Sequence, residues 1–213
     1  PLGRPLSPLQ FQRLSTLGAQ AGARIGTVRA FERTQLQAST DSLTGLSNRR
    51  SLEARMRHLM LAERGFTLVM CDLDHFKRLN DTHGHPAGDD ALRLFAEVVR
   101  GCSREGDLLA RWGGEEFAFV LLDTSVEHAL AWCERVRGRL AQTLKEHSRP
   151  AFTASFGLSH AGEAPTPELL VQRADAALYR AKALGRDRAL PADAAAPGEP
   201  AVPRPGAPSK IGP

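Results

Sequence analysis

The segment Arg111-Trp112-Gly113-Gly114-Glu115-Glu116-Phe117 constrains this chain more than any other. Leu108-Leu109-Ala110 precede it, and Phe117-Ala118-Phe119-Val120-Leu121-Leu122 follow. Two apolar runs separated by Gly-Gly read as a tight β-hairpin, because glycine tolerates the positive φ that such turns need. Two carboxylates stand directly at the turn. A hairpin that brings backbone close to a ligand, with acidic side chains beside it, suits a phosphate-bearing substrate and a divalent metal. An ordinary solvated hairpin fits the same residues, so the rest of the chain has to decide.

Around this hairpin, strands alternate with helices. Arg49 to Glu63 is an amphipathic helix with Leu52, Met56, Leu59 and Met60 inward. Phe66 to Cys71 is apolar but for Thr67 and has the length of a buried strand, ending in Asp72-Leu73-Asp74. His75 to Asn80 reads as a short helix, Asp81 to Gly88 as a turn-rich loop, and Asp89 to Cys102 as a helix offering Leu92, Leu94, Phe95 and Val98 to a core. Ser125 is placed to cap a helix running to Lys145. Phe152 to His160 is a strand, and Pro167 to Leu184 a helix with Gly185 as its stop. The pattern predicts an α/β (α+β) domain, with a mixed sheet and helices on its faces.

The ends differ from this middle. Within residues 1–38, Leu14, Leu17, Ala21, Ile25, Val28 and Phe31 recur at helical spacing. They fit either a helix packed on its own domain or a dimeric coiled coil. Residues 191–213 are dominated by Ala, Pro and Gly and cannot bury enough apolar surface to order themselves. The expected division is a helix over 1–38, an α/β domain over 39–190 and a disordered tail over 191–213.

Charge excludes some functions. Of 213 residues, 28 are Lys or Arg and 24 Asp or Glu, giving a net charge of +4 and a pI of 9.4. The arginines are spread along helices and interleaved with Glu, without a basic run, so no nucleic-acid partner is expected. Cys71, Cys102 and Cys133 are far apart and form no C-x-x-C pair. They fit a reducing compartment, hence a cytoplasmic location, and not a disulfide scaffold or zinc site. No apolar run is long enough to span a bilayer; membrane attachment of a longer protein stays open.

Asp72 and Asp74 close a buried strand, where a site is common but where capping or solvated carboxylates also occur. If the hairpin lies beside that strand, Asp72 and Glu115 converge, and two carboxylates on rigid backbone suit Mg²⁺. Lys182 and Arg186 stand four apart near the end of the last helix, where compensation of the helix dipole would also explain them. No Walker A pattern is present.

At these residues the chain resembles the GGDEF domain, the diguanylate cyclase family. The matching pieces are Asp41 to Arg50 (DSLTGLSNRR), Asp72 to Thr82 (DLDHFKRLNDT), Gly84 to Asp89 (GHPAGD) and Arg111 to Phe117 (RWGGEEF). Thr153 to Gly157 (TASFG) and Ala174 to Arg186 (ADAALYRAKALGR) complete them. Six ordered pieces are far more specific than Gly-Gly-Glu-Glu-Phe alone. Glu115 stands where the family's name has Asp, which keeps the carboxylate.

The resemblance implies a sheet core like that of polymerase palm and nucleotidyl cyclase domains. It implies that two GTP molecules condense into cyclic di-GMP with release of pyrophosphate, one GTP held by each subunit of a homodimer. Asp72, Glu115 and the backbone carbonyl of Leu73 would ligate Mg²⁺ or Mn²⁺, with Glu116 at or near the metal. Gly113 and Gly114 would admit the phosphates, and Lys182, Arg186 and Lys77 would neutralise them. Asn80 and Asp89 would read guanine, whose N1–H and exocyclic amine are donors that a carboxylate accepts; adenine would leave Asp89 unpaired. A helix cap is the competing role for each. Arg104-Glu105-Gly106-Asp107 fits the family's R-x-x-D inhibitory pattern, with Arg111 and Arg135 as further product-binding arginines. Feedback inhibition by cyclic di-GMP follows. The N-terminal helix resembles the end of a GAF sensor domain, which implies an upstream sensor. The alternative within the family is a non-catalytic module that binds GTP or cyclic di-GMP as a receptor.

Overall fold

A computed structural model describes residues 39–146 and 149–192. The expected N-terminal helix and nearly all of the tail lie outside them. Six strands form one sheet: β1 (Ser47–Asn48), β2 (Phe66–Asp74), β3 (Leu108–Gly113), β4 (Glu116–Leu122), β5 (Thr153–His160) and β6 (Ala189–Pro191). Their order is β1-β3-β4-β2-β5-β6. Strand β2 pairs antiparallel with β4 and β5, while the edge strands β1 and β6 run parallel to β3 and β5. Five α-helices accompany the sheet: α1 (Arg49–Leu61), α2 (Phe76–His83), α3 (His85–Cys102), α4 (Val126–Glu146) and α5 (Pro167–Ala183). This is the expected mixed α+β architecture. Among the described residues no helix is long and apolar enough to cross a membrane.

Residue parity builds the two cores. Successive strand side chains point to opposite faces. On one face, Val69, Cys71 and Leu73 of β2 join Phe117, Phe119 and Leu121 of β4, under Leu92, Phe95 and Val99 of α3 and Trp132 and Val136 of α4. On the other, Leu68 and Met70 join Ala118 and Val120, under Leu52 and Met56 of α1 and Leu170, Ala174 and Leu178 of α5. All nine residues of β2 are buried, which explains its near-continuous apolar run. Asp72 and Asp74 share the parity of Leu68 and Met70. Their side chains therefore emerge on the α1/α5 face.

Helix ends follow local chemistry. Asn48 caps α1, its Oδ1 accepting from Ser51 N–H at 3.0 Å. Thr166 caps α5 through Leu169 N–H at 3.3 Å. Helix α5 stops at Gly185, whose φ is +111°. There Arg186 N–H bonds the Ala181 carbonyl and Gly185 N–H bonds that of Lys182, a Schellman closure.

The expected loop over 81–88 is a correction. Helix α2 continues to His83, and α3 already begins at His85, with Gly84 alone (φ +82°) between them. Pro86 sits in the first turn of α3, where its missing N–H does no harm. Gly88 is a helix residue and not a turn residue: a Cβ there would collide with the Asn80 side-chain amide. Strand β2 also runs three residues further than its apolar run, through Asp74. Strand β6 ends on Pro191, the first residue of the segment read as tail.

Gly157 of β5 lies against α5, where a Cβ would strike the Ala174 carbonyl oxygen and the Leu178 nitrogen. Both are backbone atoms that cannot step aside. Gly157→Ala should therefore lower stability by about 2–3 kcal/mol or more, read from urea unfolding. An unchanged midpoint would show that β5 and α5 can separate without loss.

Candidate active site

The hairpin loop is Gly114-Glu115, flanked by Gly113 of β3 paired with Glu116 of β4. The register shifts between Arg111 and Gly113, so Trp112 forms a bulge. Of the two glycines Gly114 has the positive φ, +39°. A Cβ on Gly114 would meet open space, so the turn's outer surface is clear. Arg111 holds the turn from behind: Nε and Nη2 donate to the Gly114 carbonyl at 2.9 and 2.7 Å. Its Nη1 reaches both Asp41 oxygens, at 3.3 and 3.2 Å. Asp41 also accepts from Thr44 N–H and Oγ1. Burial pushes the Asp41 carboxyl up, but the Thr44 and Arg111 bonds together outweigh it and hold it below its usual value.

Register places the carboxylates. Asp72 lies opposite Glu116, so both side chains share the α1/α5 face. Leu73 N–H donates to the Glu115 carbonyl at 3.2 Å, which fixes the turn against the end of β2. Lys182, in the last turn of α5, reaches Asp72 Oδ2 at 2.8 Å. Burial raises the Asp72 carboxyl above its usual value; Lys182 and Arg186 oppose that shift and Asp74 adds to it. Burial also raises Glu115, with Asp72 and Glu116 adding repulsion and Lys182 opposing. Asp72, Glu115, Glu116, Lys182 and Arg186 thus share one electrostatic cluster. Half-buried Asp175 belongs to it as well: burial raises its carboxyl, and Glu116 raises it further.

Asp74 plays another part. It is 3% exposed. Its Oδ1 accepts from Ser155 Oγ at 2.8 Å, and its Oδ2 from Thr153 Oγ1 at 2.7 Å and Asp187 N–H at 3.1 Å. The two aspartates of one D-x-D therefore divide their work. Asp74 is satisfied by neutral donors, while Asp72 faces the cluster with Lys182.

Asn80 and Asp89 lie on the α2–α3 pair that follows β2. Neither is the helix cap considered from sequence: Asn80 is inside α2, and Asp89 is exposed in the second turn of α3. Asn80 Oδ1 is buried and has no hydrogen-bond partner. It is an acceptor without a donor, packed one residue from Asp89. Lys77 is exposed on α2 and makes no ion pair with the carboxylates among the described residues.

The donor set fits a hard divalent cation. Two buried-edge carboxylates repel each other, and a cation between them would relieve both. Among the described residues no three His, Cys, Asp or Glu side chains group as a metal cluster. A Mg²⁺ ion needs no such cage, since one or two carboxylates with substrate phosphates and water suffice.

Residues 38–188 match the family model described as "Diguanylate cyclase, GGDEF domain". This chain belongs to the GGDEF family. It is 39% identical over 159 residues to "Diguanylate cyclase DgcM" of Escherichia coli K12, covering 72% of this chain and 38% of that protein. "Response regulator PleD" of Caulobacter vibrioides NA1000 is 41% identical over 157 residues, 70% of this chain and 35% of that one. The chain thus spans little more than a third of these two relatives. Among solved structures, the coiled coil and GGDEF domain of DgcB from Caulobacter crescentus in complex with c-di-GMP superposes with a TM-score of 0.71 at 28% identity, over 84% of this chain and 98% of that one. The GGEEF domain of a diguanylate cyclase from Vibrio cholerae gives 0.62 at 32%, over 68% and 97%.

The second constellation of this GGDEF domain is partly assembled. Arg104 is exposed, and its N–H donates to Asp107 Oδ2 at 2.9 Å. Asp107 Oδ1 accepts from Leu122 N–H at 3.2 Å. Arg135, exposed on α4, reaches the Cys102 carbonyl at 3.2 Å, two residues before Arg104. Arg111 is part-buried and committed to the turn and Asp41, apart from these. Sequence reasoning gave no role to Asp41, Asp175 or the buried state of Asp74. For Asp175 a signal existed: it stands seven residues before Lys182, two turns along one helix face.

The D-x-D pair yields a contrast in urea unfolding. Asp74→Ala strands three donors and should cost about 3 kcal/mol. Asp72→Asn removes a charge that the fold holds unfavourably, and Lys182, 31% exposed in its side chain, can turn to water. Its stability should match or exceed that of the parent. Equal losses would overturn the division of labour.

Proposed function

We propose that this domain is a diguanylate cyclase. The observation that carries the reading is the Asp72–Lys182–Glu115 cluster set under an open glycine turn at the end of β2. In each half-reaction a GTP 3′-hydroxyl attacks the α-phosphorus of the other GTP. The P–O3′ bond forms, the bond from the α-phosphorus to the bridging oxygen breaks, and pyrophosphate leaves. Two such steps close the ring of cyclic di-GMP. Each chain binds one GTP, so turnover requires a homodimer.

The chain's own residues divide the work. Asn80 and Asp89 accept from the N1–H and amine of guanine, and the donorless Asn80 Oδ1 supports that assignment. Asp89→Ala should weaken GTP binding roughly 10- to 150-fold, the size of a lost hydrogen bond to a charged group. The open face of Gly113-Gly114 admits phosphate. Lys182 exchanges Asp72 for a β/γ-phosphate oxygen, and Arg186, with Lys77 in support, adds charge against the departing pyrophosphate. Asp72, Glu115 and the Leu73 carbonyl would hold Mg²⁺ or Mn²⁺, with Glu116 beside them. When bound, the metal supplies charge that eases deprotonation of the hydroxyl and stabilises the leaving oxygen. Arg104, Asp107 and Arg135, with Arg111 behind the turn, form the product site through which cyclic di-GMP inhibits. A cytoplasmic location and an upstream sensor complete the reading.

Incubation of the purified protein with GTP and Mg²⁺ should yield cyclic di-GMP by mass spectrometry. Absence of product at concentrations where the chain is shown to dimerise would reject the cyclase in favour of a nucleotide receptor. Glu115→Ala should abolish turnover while unfolding like the parent; retained activity would remove Glu115 from the site. Arg104→Ala should release product inhibition, and an unchanged inhibition curve would show that no such site operates.

A further inference from the structure

Immediately after α5, three consecutive residues adopt left-handed backbone: Gly185 (φ +111°), Arg186 (φ +64°) and Asp187 (φ +43°). Glycine does so freely and aspartate more readily than most residues; arginine does so against the clash of Cβ with backbone. Such conformations persist when surrounding contacts over-determine them. Here the contacts come from β2, from α4 and from the residue that leads into β6. Asp187 N–H is bound by buried Asp74 Oδ2 of β2 at 3.1 Å. The Asp187 carboxylate accepts from Arg137 Nε of α4 at 2.8 Å. Arg137 is itself fixed by Glu134, its Nη1 donating to both Glu134 oxygens at 2.8 and 2.6 Å. The Arg186 carbonyl accepts from Arg188 Nε at 3.0 Å. Arg137 has a side chain 23% exposed and is 50 residues from Asp187 in sequence.

We propose that Arg137, through Asp187, is a positioning residue for the phosphate-binding Arg186, clasping the strained turn on which Arg186 stands. This rests on the reading of Arg186 as a ligand of the β/γ-phosphates. Arg186 is the middle residue of the turn, four residues after Lys182, whose ammonium reaches Asp72. Its own peptide is fixed on one side by the helix closure at Ala181 and on the other by Asp74. Both of those restraints act on backbone. The Arg137–Asp187 pair is the side-chain restraint, and it comes from the opposite face of the sheet, where α4 packs. Without it, Asp187 is free to relax toward negative φ and to carry Arg186 away. Small displacements of a charged group from a reacting phosphate have large effects on binding and rate. Lysine at 137 would keep the charge and lose the fork that grips Asp187 and Glu134 together.

The test compares two ligands by titration calorimetry with Mg²⁺ present. One is a GTP analogue with CH₂ in place of the α–β bridging oxygen, which cannot release pyrophosphate. The other is GMP, which lacks the β- and γ-phosphates. Arg137→Ala should weaken the analogue about three- to tenfold, the scale of coupling between neighbours sharing an element, and leave GMP within about twofold. Asp187→Gly tolerates the backbone but lacks the carboxylate, and should lose the analogue to a similar degree; Asp187→Asn keeps an acceptor for Arg137 and should recover most of it. Arg186→Ala should weaken the analogue more than either. The double variant Arg137→Ala/Arg186→Ala should bind no worse than Arg186→Ala alone. Additive losses, equal losses for GMP, or no loss in Arg137→Ala and Asp187→Gly would overturn the clasp while leaving Arg186 as a ligand. If Arg186→Ala itself leaves the analogue unaffected, the reading of Arg186 fails and the clasp with it.

Discussion

The structure turns on the end of β2, where a strand buried on both faces finishes in two carboxylates on the same face. A charge so placed needs partners or is pushed toward its neutral form. Asp74 has three donors and becomes a structural joint between β2, β5 and the turn after α5. Asp72 is ion-paired with Lys182 and has a carboxylate neighbour in Glu115. That asymmetry gives the domain a rigid support and a reactive edge within three residues. A site so built can gain a cation without moving backbone, because the strand beneath it is fixed by ladders on both sides.

The turn opposite is held by a relay that begins elsewhere. Arg100 of α3 donates to the Thr44 carbonyl at 2.6 Å. Thr44 is bonded to Asp41, Asp41 to Arg111, and Arg111 to Gly114. The helix that carries Asp89 and the turn that carries Glu115 are therefore linked by charge-assisted hydrogen bonds, which are stronger and more directional than neutral ones. Arg49 adds packing, its guanidinium lying 4.5 Å from the centre of the Trp112 ring at the bulge.

Much of this was legible in the sequence because the relevant signals are local. The hairpin, the helices α1, α4 and α5, and the buried run of β2 follow from periodicity and from the cap Ser125 and the stop Gly185. The convergence of Asp72 with Glu115 was legible as a conditional, dependent on β4 pairing with β2, and the register supplies that pairing. What was not legible depends on partners distant in sequence. Gly84 and Gly88 look like turn residues, but Gly88 is small because Asn80 fills its Cβ space across the α2–α3 pair. Asp74 looks equivalent to Asp72 until Thr153, Ser155 and Asp187 are brought to it from 79, 81 and 113 residues away. Arg111 looks like a surface arginine beside a product site, and its commitment to Asp41 spans 70 residues.

Local departures from comfortable chemistry gather around the same edge. His75, directly after β2, has φ +57°. Arg186 and Asp187 are left-handed, Asn80 Oδ1 is buried without a donor, and Asp72 and Glu115 are held above their usual carboxylate values. Left-handed residues elsewhere, Glu63 and Asp123, sit at ordinary strand and helix ends, and Asp123 is paired with Arg64 at 2.8 Å. A fold selected for stability alone would have removed the first group as readily as it accommodates the second. Within the first group, Asn80 Oδ1 lacks a donor, and Asp72 and Glu115 carry charge that burial disfavours; under the proposed function a base donor and a divalent cation meet those needs. Under that reading the strain at this edge is preorganisation for ligand.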